Sequence, residues 1–426
     1  MSNRKKKIVI IGAGIIGLFS AYYLSEEDFE ITILDKTDGE DGCSMGNAGM
    51  IVPSHFIPLA SPGMIEKGMK WMLDAESPFY VKPRLNLELL KWGISFYKSA
   101  KQSHIDKAKF ALRDLSFLSK ICYQQLSKSK EFEFGFEEKG LLMLCKSAHG
   151  FEEECQAAEI ANSIGINANV LKLNEIHQLE PELKPDVMGG IYYPGDAHLY
   201  PNQLVSNLKS FLEKKGVKFI YNTEVVAIES NVEKVTAIKV IQKANNETLN
   251  LACDELILAT GSWSQQVAQM LKLSLPMQAG KGYSITKNQK EGKTIHIPTI
   301  LLEARVAITP MGQNLVRFGG TMEIGGINSQ INMNRVRGIV KSVPEFYPNY
   351  ELQMPDKQEV WYGLRPCSPD GMPYIGRSKK FKNLSVATGH AMMGLSLAPA
   401  TGKLISEIIL EQKPELNLGM FEVDRF

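Results

Sequence analysis

KIVIIGAGIIGLFSAYYLSEEDFEITILD, residues 7–35, is the stretch whose reading decides the fold. Its apolar run Ile8-Val9-Ile10-Ile11 reads as a fully buried strand, because a parallel strand covered on both faces needs no alternation of polar and apolar residues. The run breaks at Gly12-Ala-Gly14-Ile-Ile-Gly17. In this spacing Gly12 permits a tight turn, Gly14 lets backbone approach a pyrophosphate, and Gly17 allows close packing of a helix that runs through Leu24. The start of such a helix carries unpaired N–H groups that favour an anion. A second strand, residues 31–34, ends in Asp35, whose carboxylate can accept both hydroxyls of an adenosine ribose. Glycine-rich turns alone are common, but strand, turn, helix, strand and terminal acid in this order predict a dinucleotide site. An acid on the ribose argues against a 2′-phosphate, so FAD or NAD fits better than NADP.

The chain has 426 residues, enough for two domains sharing an interface. Hydrophobic residues at 44% and charged residues at 22% place it among globular enzymes, and a formal net charge of +1 gives no electrostatic reason to invoke nucleic acid. The basic clusters Arg4–Lys7 and Arg377–Lys382 read as solvated surface. Six cysteines, at 43, 122, 145, 155, 253 and 367, show neither a CxxC pair nor zinc-ligand spacing, so no metal site is expected and the thiols read as reduced ones in a cytoplasmic protein. The basic start followed by an apolar run imitates a secretory signal, yet the glycine motif occupies that run and no cleavage site follows. No stretch approaches the roughly 20 apolar residues that span a bilayer. The expectation is a soluble protein, at most peripheral on the inner membrane.

After Asp35 comes Cys43-Ser-Met-Gly-Asn-Ala-Gly-Met-Ile-Val-Pro53, a loop of small residues suited to backbone lying against a flat ring. Pro58, Pro62, Pro78 and Pro83 then punctuate a segment of short pieces. Leu85, Leu89, Trp92 and Phe96 mark one helical face, which could pack or instead touch a membrane surface. A longer helix follows, with the stripe Ala108, Leu112, Leu115, Leu118, Cys122 and Leu126. Residues 140–144 read as a strand, 151–164 as a helix, and 191–201 as a strand and turn, with Pro201 opening a helix that ends near Gly216. Residues 217–221 and a β-prone meander from Thr223 through Ile241 come next. Glu255–Ser264, ELILATGSWS, repeats the logic of the N-terminus, since an apolar strand stops at the small turn Thr260-Gly261 and a helix begins. Residues 276–359 suggest a second sheet, with Gly282-Tyr-Ser-Ile-Thr286, a hairpin around Met311-Gly312 and a helix over 332–342. A last strand, 384–388, ends at Gly389-His390, and a final helix runs from near Gly394 through Leu410.

Taken together, GAGIIG with Asp35, the SMGNAGM loop, TEVVAI, LATGSW, GKGYSIT, YGLRPCSPDGMPYIG and GHAMMGLSLAPATGKLI resemble the D-amino-acid oxidase and glycine oxidase superfamily. The NAGM loop followed by IPLASPG is most similar to its D-amino-acid dehydrogenase branch, which includes D-hydroxyproline dehydrogenases. The resemblance implies an α/β protein: a Rossmann-like FAD-binding domain from residues 1–84, 200–275 and 360–426, and a discontinuous substrate domain of α+β type from 85–199 and 276–359, built on a mixed β-sheet with helices. It implies FAD contacts at Gly12, Gly14, Ile16, Gly17, Asp35 and Lys36, along the ring at Ser44, Asn47, Ala48, Gly49, Met50 and Ile51, at Val225 for adenine, and at Thr260, Gly261, Gly389, Gly394 and Leu395. The positive end of the last helix would face the flavin N1–C2=O edge. Arg365 of GLRP would hold a substrate carboxylate through two parallel hydrogen bonds, with Tyr283 adding a hydroxyl and His55 within reach.

Two departures stand out. Glycine oxidase carries an arginine in the segment matching Gly389–Gly394, where this chain has Ala391, Met392 and Met393, a more apolar wall that argues against glycine as substrate. Sarcosine oxidases attach flavin through a cysteine near the LRP region; Gly363 stands there, with Cys367 close by, which argues against covalent attachment. The implied reaction is oxidation of an amino or imino acid by hydride transfer from Cα to flavin N5, without a strong general base. The electron acceptor stays open between a quinone, a partner protein and oxygen. A sarcosine-type secondary-amine oxidase and a non-catalytic flavin-binding protein remain rival readings, while an NAD-dependent dehydrogenase fits the second turn and the long second domain less well.

Overall fold

The structure, a computed structural model, describes residues 4–40, 42–64, 66, 76–82, 84, 86–312 and 314–426. Pro83 and Leu85, which entered the reading of the proline-rich segment and of the first helical face, lie outside the described residues. Among the described residues, six strands form one sheet in the order β19 (Tyr374–Arg377), β20 (Leu384–Thr388), β13 (Glu255–Leu258), β1 (Lys6–Ile11), β2 (Phe29–Leu34) and β9 (Lys218–Ile220). All neighbours run parallel except β19 against β20. The unbroken apolar run of β1 has the expected cause. Ile8 and Ile10 enter the core shared with α1 (Ile15–Leu24) and α9 (Gly394–Ile409), whereas Val9 and Ile11 enter a second core on the opposite face. That face is covered by the antiparallel sheet β10 (Thr223–Ser230), β11 (Val235–Gln242) and β12 (Thr248–Ala252).

Helix α1 is apolar all round because it is enclosed all round. It packs on α9, and α9 in turn on α3 (Gln102–Ser127). Gly402 makes the first of these contacts possible, since a Cβ there would stand 2.5 Å from the Phe19 carbonyl carbon. Helix α6 (Pro201–Lys214) covers the remaining flank, with Pro201 at its first turn as its sequence position predicts.

The second sheet is mixed. Its path is β18 (Trp361–Cys367), β14 (Gln278–Asn288), β17 (Leu315–Ile324), β16 (Val306–Met311), β15 (Thr299–Leu301), β5 (Leu141–Cys145), β7 (Gly189–Tyr193) and β6 (Asn169–Leu171), with β4 (Phe79–Val81) on β17. The segments 79–81 and 361–367, grouped by sequence with the dinucleotide-binding part, therefore supply strands to this sheet. Helix α8 (Met333–Phe346), capped by the Asn332 side chain, covers one face through Val336, Ile339, Val343 and Phe346. Helices α4 (Ala148–Ser163) and α5 (Leu173–Leu179) pack on β7. A two-strand ladder of β3 (Met50–Ile51) with β8 (Ala197–His198) lies apart from both sheets.

In α2 (Leu87–Ser99) the face Leu89, Trp92 and Phe96 is the packed one. Trp92 is 7% exposed, stacks on Phe96 and donates from Nε1 to the Cys367 carbonyl at 2.9 Å. No helix among the described residues is long and apolar enough to cross a membrane. Among the described residues none of the six cysteines is joined in a disulfide.

Replacing Gly402 by Ala should destabilise the protein by about 1–3 kcal/mol, the usual cost of forcing atoms into a filled helix contact. Urea unfolding of the purified variant against the parent checks this, and an unchanged midpoint would show that α1 and α9 have room to separate.

Candidate active site

The parallel strands of the first sheet all end on one edge. Gly12, Asp35, the Thr260-Gly261 turn that leads into α7 (Ser264–Gln269), and Gly389 follow β1, β2, β13 and β20 on that edge, where open α/β sheets bind ligands. Gly12 has φ +111°, and a Cβ there would collide with the Ala259 carbonyl. A Cβ on Gly17 would strike the Gly12 carbonyl oxygen. Gly14 differs, for its nearest neighbour would be Ser44 Oγ at 4.0 Å, so the space in front of it is open. No side chain caps α1, although Ser44 Oγ accepts from the Ile15 amide at 3.2 Å, which leaves the amides of Ile16 and Gly17 facing that space. Open backbone at Gly14 beside uncapped amides fits a pyrophosphate.

Asp35 is fixed from two sides. Oδ2 accepts from the Ala13 amide at 2.8 Å, and Oδ1 accepts from the Thr37 amide and hydroxyl, both at 3.0 Å. Oδ1 thereby uses both its lone pairs, while Oδ2 keeps one for a ribose hydroxyl. The Asp35 carbonyl accepts from the Thr223 amide, which brings the start of β10, and Val225 on it, to the same edge. Lys36 Nζ lies 3.6 Å from the centre of the Trp263 ring and so spans from the Asp35 turn to the second turn. There Thr260 Oγ1 and Thr388 Oγ1 both hydrogen-bond Ser264 Oγ, at 3.0 and 2.8 Å, tying Gly261 to the end of β20. Gly389, at φ +82°, is pressed on the Tyr374 ring.

The loop 43–49 belongs in sequence to the first sheet but is bonded to the second. Ser284 Oγ donates to the Gly46 carbonyl at 2.9 Å. Arg317 Nη1 donates to the Met45 and Asn47 carbonyls at 3.0 and 2.7 Å. The Trp361 ring fills the space that a side chain on Gly46 or Gly363 would need. Asn47 closes the loop on itself, accepting from the Gly49 amide at 2.9 Å. Met50 and Ile51 then pair with His198 and Ala197, Ala48 and Met50 join a cluster with Ala307 and Met393, and Val52 donates to Ser396 Oγ at 3.0 Å. The loop's end thus meets the first turn of α9, which Tyr123 braces by donating to the Leu395 carbonyl at 2.7 Å. Gly394 opens that helix with no side-chain cap.

Arg365 lies on the same face of the second sheet as Ser284. Its guanidinium crosses the α-carbon of Gly282, where a Cβ would stand 2.5 Å from Cζ, and Nη1 donates to the Thr321 carbonyl. Among the described residues it has no carboxylate partner. Burial lowers its pKa from the ordinary arginine value. Tyr283, expected to share a carboxylate with Arg365, faces the other way. Consecutive strand residues alternate, and Tyr283 sits under α8, 1% exposed, its hydroxyl accepting from the Asn332 amide at 3.2 Å and donating to Glu323 Oε2 at 3.3 Å.

His55 is partly buried, with Nδ1 3.1 Å from Ser54 Oγ. Burial and the nearby charge of Arg305 hold it down at about 4. Ser54 Oγ donates to Asp196 Oδ2 at 2.5 Å while the Ser54 amide donates to Oδ1 at 3.1 Å. Even so, burial lifts Asp196 from 3.8 to about 7. His390 is enclosed, with Nε2 3.0 Å from a Thr401 hydroxyl that already donates to Leu397, so its role is to brace α9. Sequence reasoning missed Arg317, Ser284, Trp361 and Asp196. The one available signal was Arg317 itself, a charge inside the apolar strand Leu-Val-Arg-Phe.

Asp196 generates a pH expectation. The folded chain keeps a proton there that the unfolded chain releases near 3.8, so its contribution is fully present below that value and is lost as pH rises through about 7. Asp196→Asn should therefore flatten the fall in urea midpoint between pH 5 and pH 8. A parallel fall in both proteins would show that Asp196 is ionised throughout.

A family model described as FAD dependent oxidoreductase matches residues 7–408. The chain is 29% identical over 425 residues to a D-amino acid dehydrogenase of Helicobacter pylori, with 99% of each chain covered. It is 29% identical over 430 residues to a D-amino acid dehydrogenase of Bradyrhizobium diazoefficiens, again with 99% of each covered. Among solved structures, glycine oxidase from Geobacillus kaustophilus is similar with a TM-score of 0.77 at 20% identity, covering 99% of this chain and 100% of that one. L-proline dehydrogenase from P. horikoshii follows with a TM-score of 0.72 at 19% identity, covering 99% and 98%. At those identities the two structures speak for the fold, and the family match over nearly the whole length, on a strand edge shaped for a dinucleotide, speaks for the cofactor: the chain belongs to the FAD dependent oxidoreductase family.

Proposed function

We propose that the protein oxidises the Cα–N bond of an amino or imino acid, with D-amino acids and D-hydroxyproline as the foremost substrates. The observation that carries this reading is Arg365, a half-buried guanidinium with no carboxylate partner among the described residues, lying flat over Gly282. A cation so enclosed is costly unless an anion arrives to meet it, and its planar fork suits a carboxylate. The two D-amino acid dehydrogenases similar along the full length support the stereochemical preference.

Bound FAD supplies the two-electron acceptor for the hydride that leaves Cα. The residues at the strand edge hold it: Gly12, Gly14, Ile16 and Gly17 at the pyrophosphate, Asp35 and Lys36 at the ribose, Val225 at adenine, and Thr260, Gly261 and Gly389 closing the site. Ser44, Asn47, Ala48, Gly49, Met50 and Ile51 form the bed for the ring, and Gly394 and Leu395 direct the positive end of α9 toward it. Arg365 anchors the substrate carboxylate and so sets which hydrogen on Cα faces the ring. Tyr283, committed to Glu323 and Asn332, leaves that anchoring to Arg365. His55, held down at about 4 by burial, is too weak a base to take a proton from an ammonium substrate, so the amine reacts in its neutral form. The imine product is hydrolysed by water to a 2-oxo acid, or leaves as a cyclic imine when the substrate is proline-like. Met393 in the cluster with Met50 and Ala307 supports an apolar wall beside the substrate.

The test is anaerobic addition of D- and L-amino acids, D- and L-hydroxyproline and sarcosine to the purified yellow protein. Bleaching of the flavin band by D-amino or D-imino acids is expected. Bleaching by sarcosine alone would move the protein to the secondary-amine oxidases, and a band that no amine bleaches would leave a flavin-binding role. Turnover with oxygen against turnover with a quinone or dye identifies the acceptor. Arg365→Leu should raise KM for carboxylate substrates about 10- to 100-fold, the loss of a charge-assisted pair. Gly282→Ala, which pushes the guanidinium off its seat, should raise KM in the same direction, and a wild-type KM in both variants would remove Arg365 from the site.

A further inference from the structure

Arg317 is a deeply committed cation of the second sheet. It is 5% exposed and makes four hydrogen bonds, all to neutral acceptors: Nε to Thr286 Oγ1 at 3.0 Å, Nη1 to the Met45 and Asn47 carbonyls at 3.0 and 2.7 Å, and Nη2 to Asn202 Oδ1 at 3.2 Å. Among the described residues no carboxylate pairs with it. Burial draws its pKa down to about 10, which still leaves it charged at neutral pH. A buried charge without a counter-charge costs several kcal/mol in general, so the fold keeps Arg317 for something other than an ion pair.

The loop shows what that is. The carbonyls of Met45 and Asn47 both turn to one guanidinium nitrogen. Because each peptide is planar and trans, the N–H on the far side of the same peptide points the opposite way. Those groups are the amides of Gly46 and Ala48, and among the described residues neither has an acceptor. Gly46 is buried, and buried amides without partners are rare in folded proteins. The loop therefore presents two parallel donors on the side away from Arg317, immediately before Met50 and Ile51.

We infer that Arg317 is a positioning residue that holds the loop 45–48 so that the amides of Gly46 and Ala48 meet the acceptor-rich edge of the FAD ring, and that its unpaired charge favours the reduced, anionic ring. This rests on the reading of that loop as the ring's bed. Arg317 needs no contact with FAD for this, since it acts through two peptide planes. A lysine would keep the charge but reach one carbonyl at a time, because the ammonium lacks the fixed fork that addresses Met45, Asn47, Thr286 and Asn202 together.

The experiment uses the full chain stripped of FAD and reloaded, with Arg317→Met and Arg317→Lys beside the parent. Three quantities are read: the FAD dissociation constant, the two-electron midpoint potential, and the far-ultraviolet circular dichroism of the apoprotein. For Arg317→Met the dissociation constant should rise at least tenfold and the potential should become more negative. For Arg317→Lys binding should weaken several-fold while the potential stays close to that of the parent. Arg317→Met that is folded and matches the parent in both quantities would overturn the inference. If Arg317→Met does not fold, Arg317→Lys decides, and a lysine variant equal to the parent in FAD affinity overturns it as well. A variant that loses only thermal stability gives Arg317 a purely structural role and likewise overturns it. A parent apoprotein that does not take up FAD would refute the cofactor reading instead, so the two failures are distinguishable.

Discussion

The constraint on which the structure turns is close approach of backbone to a flat face. The surface of the second sheet that looks toward the loop 43–49 carries Gly280, Gly282, Gly319 and Gly363 on its strands, and at two of these a side chain would displace something specific. At Gly282 that is the Arg365 guanidinium, and at Gly363 it is the Trp361 ring. Paving with glycine lowers strand stability, since glycine loses the most freedom on ordering and contributes no side chain to pack. The cost is met from the other face, where Tyr283, Ile285, Val316 and Phe318 join α8 in an apolar core. One sheet thus has a face for stability and a face for the site, and the two-residue period of the strand keeps them apart.

The same separation of roles divides the two arginines of that face. Arg317 is buried and Arg365 half-buried, and both lack a carboxylate among the described residues, but their surroundings differ in completeness. Arg317 has four neutral acceptors and is finished as a structural unit. Arg365 has the Thr321 carbonyl, offered where the backbone of β17 departs from regular pairing and Thr321 adopts φ +64°. A bulge of this kind re-aims strand groups. It also leaves the Thr321 hydroxyl buried without a partner among the described residues, a sign of a site not closed by protein alone.

What could be read from the sequence was local. Gly12, Gly14, Gly17 and Asp35 stand within one strand–helix–strand unit, and their spacing alone dictates which atoms can approach a ligand. The last helix announced itself in the same way, and it begins at Gly394 as expected. The misreadings share a different cause. The family resemblance puts Tyr283 beside Arg365, but which face a residue takes depends on register against β17 and β18. The strand at 361–367 looked like a return to the first sheet because it adjoins Gly376 and β20, whereas its hydrogen bonds run to β14. Asp196 and Ser54 meet across 142 positions, and no periodicity within either segment reports that contact. Arg317 was visible as a charge in an apolar strand, yet its partners at Met45 and Asn47 lie 272 and 270 positions away.

That last separation has a consequence for how the molecule is made. The hydrogen bonds that join the glycine turn to Leu34 and Asp35 are short in sequence, although β1 also needs β13, and α1 needs α9, before the unit is enclosed. The loop that follows waits for Ser284 and Arg317, and at typical elongation rates of about 5–20 residues per second that is an interval on the order of 10–60 s. During it the glycine turn also waits for α9, which covers α1 and is made last. Contacts of such long range also slow folding once the chain is free. The strand edge and the loop are therefore completed together and late, since β20 and α9 follow Arg317 in the chain.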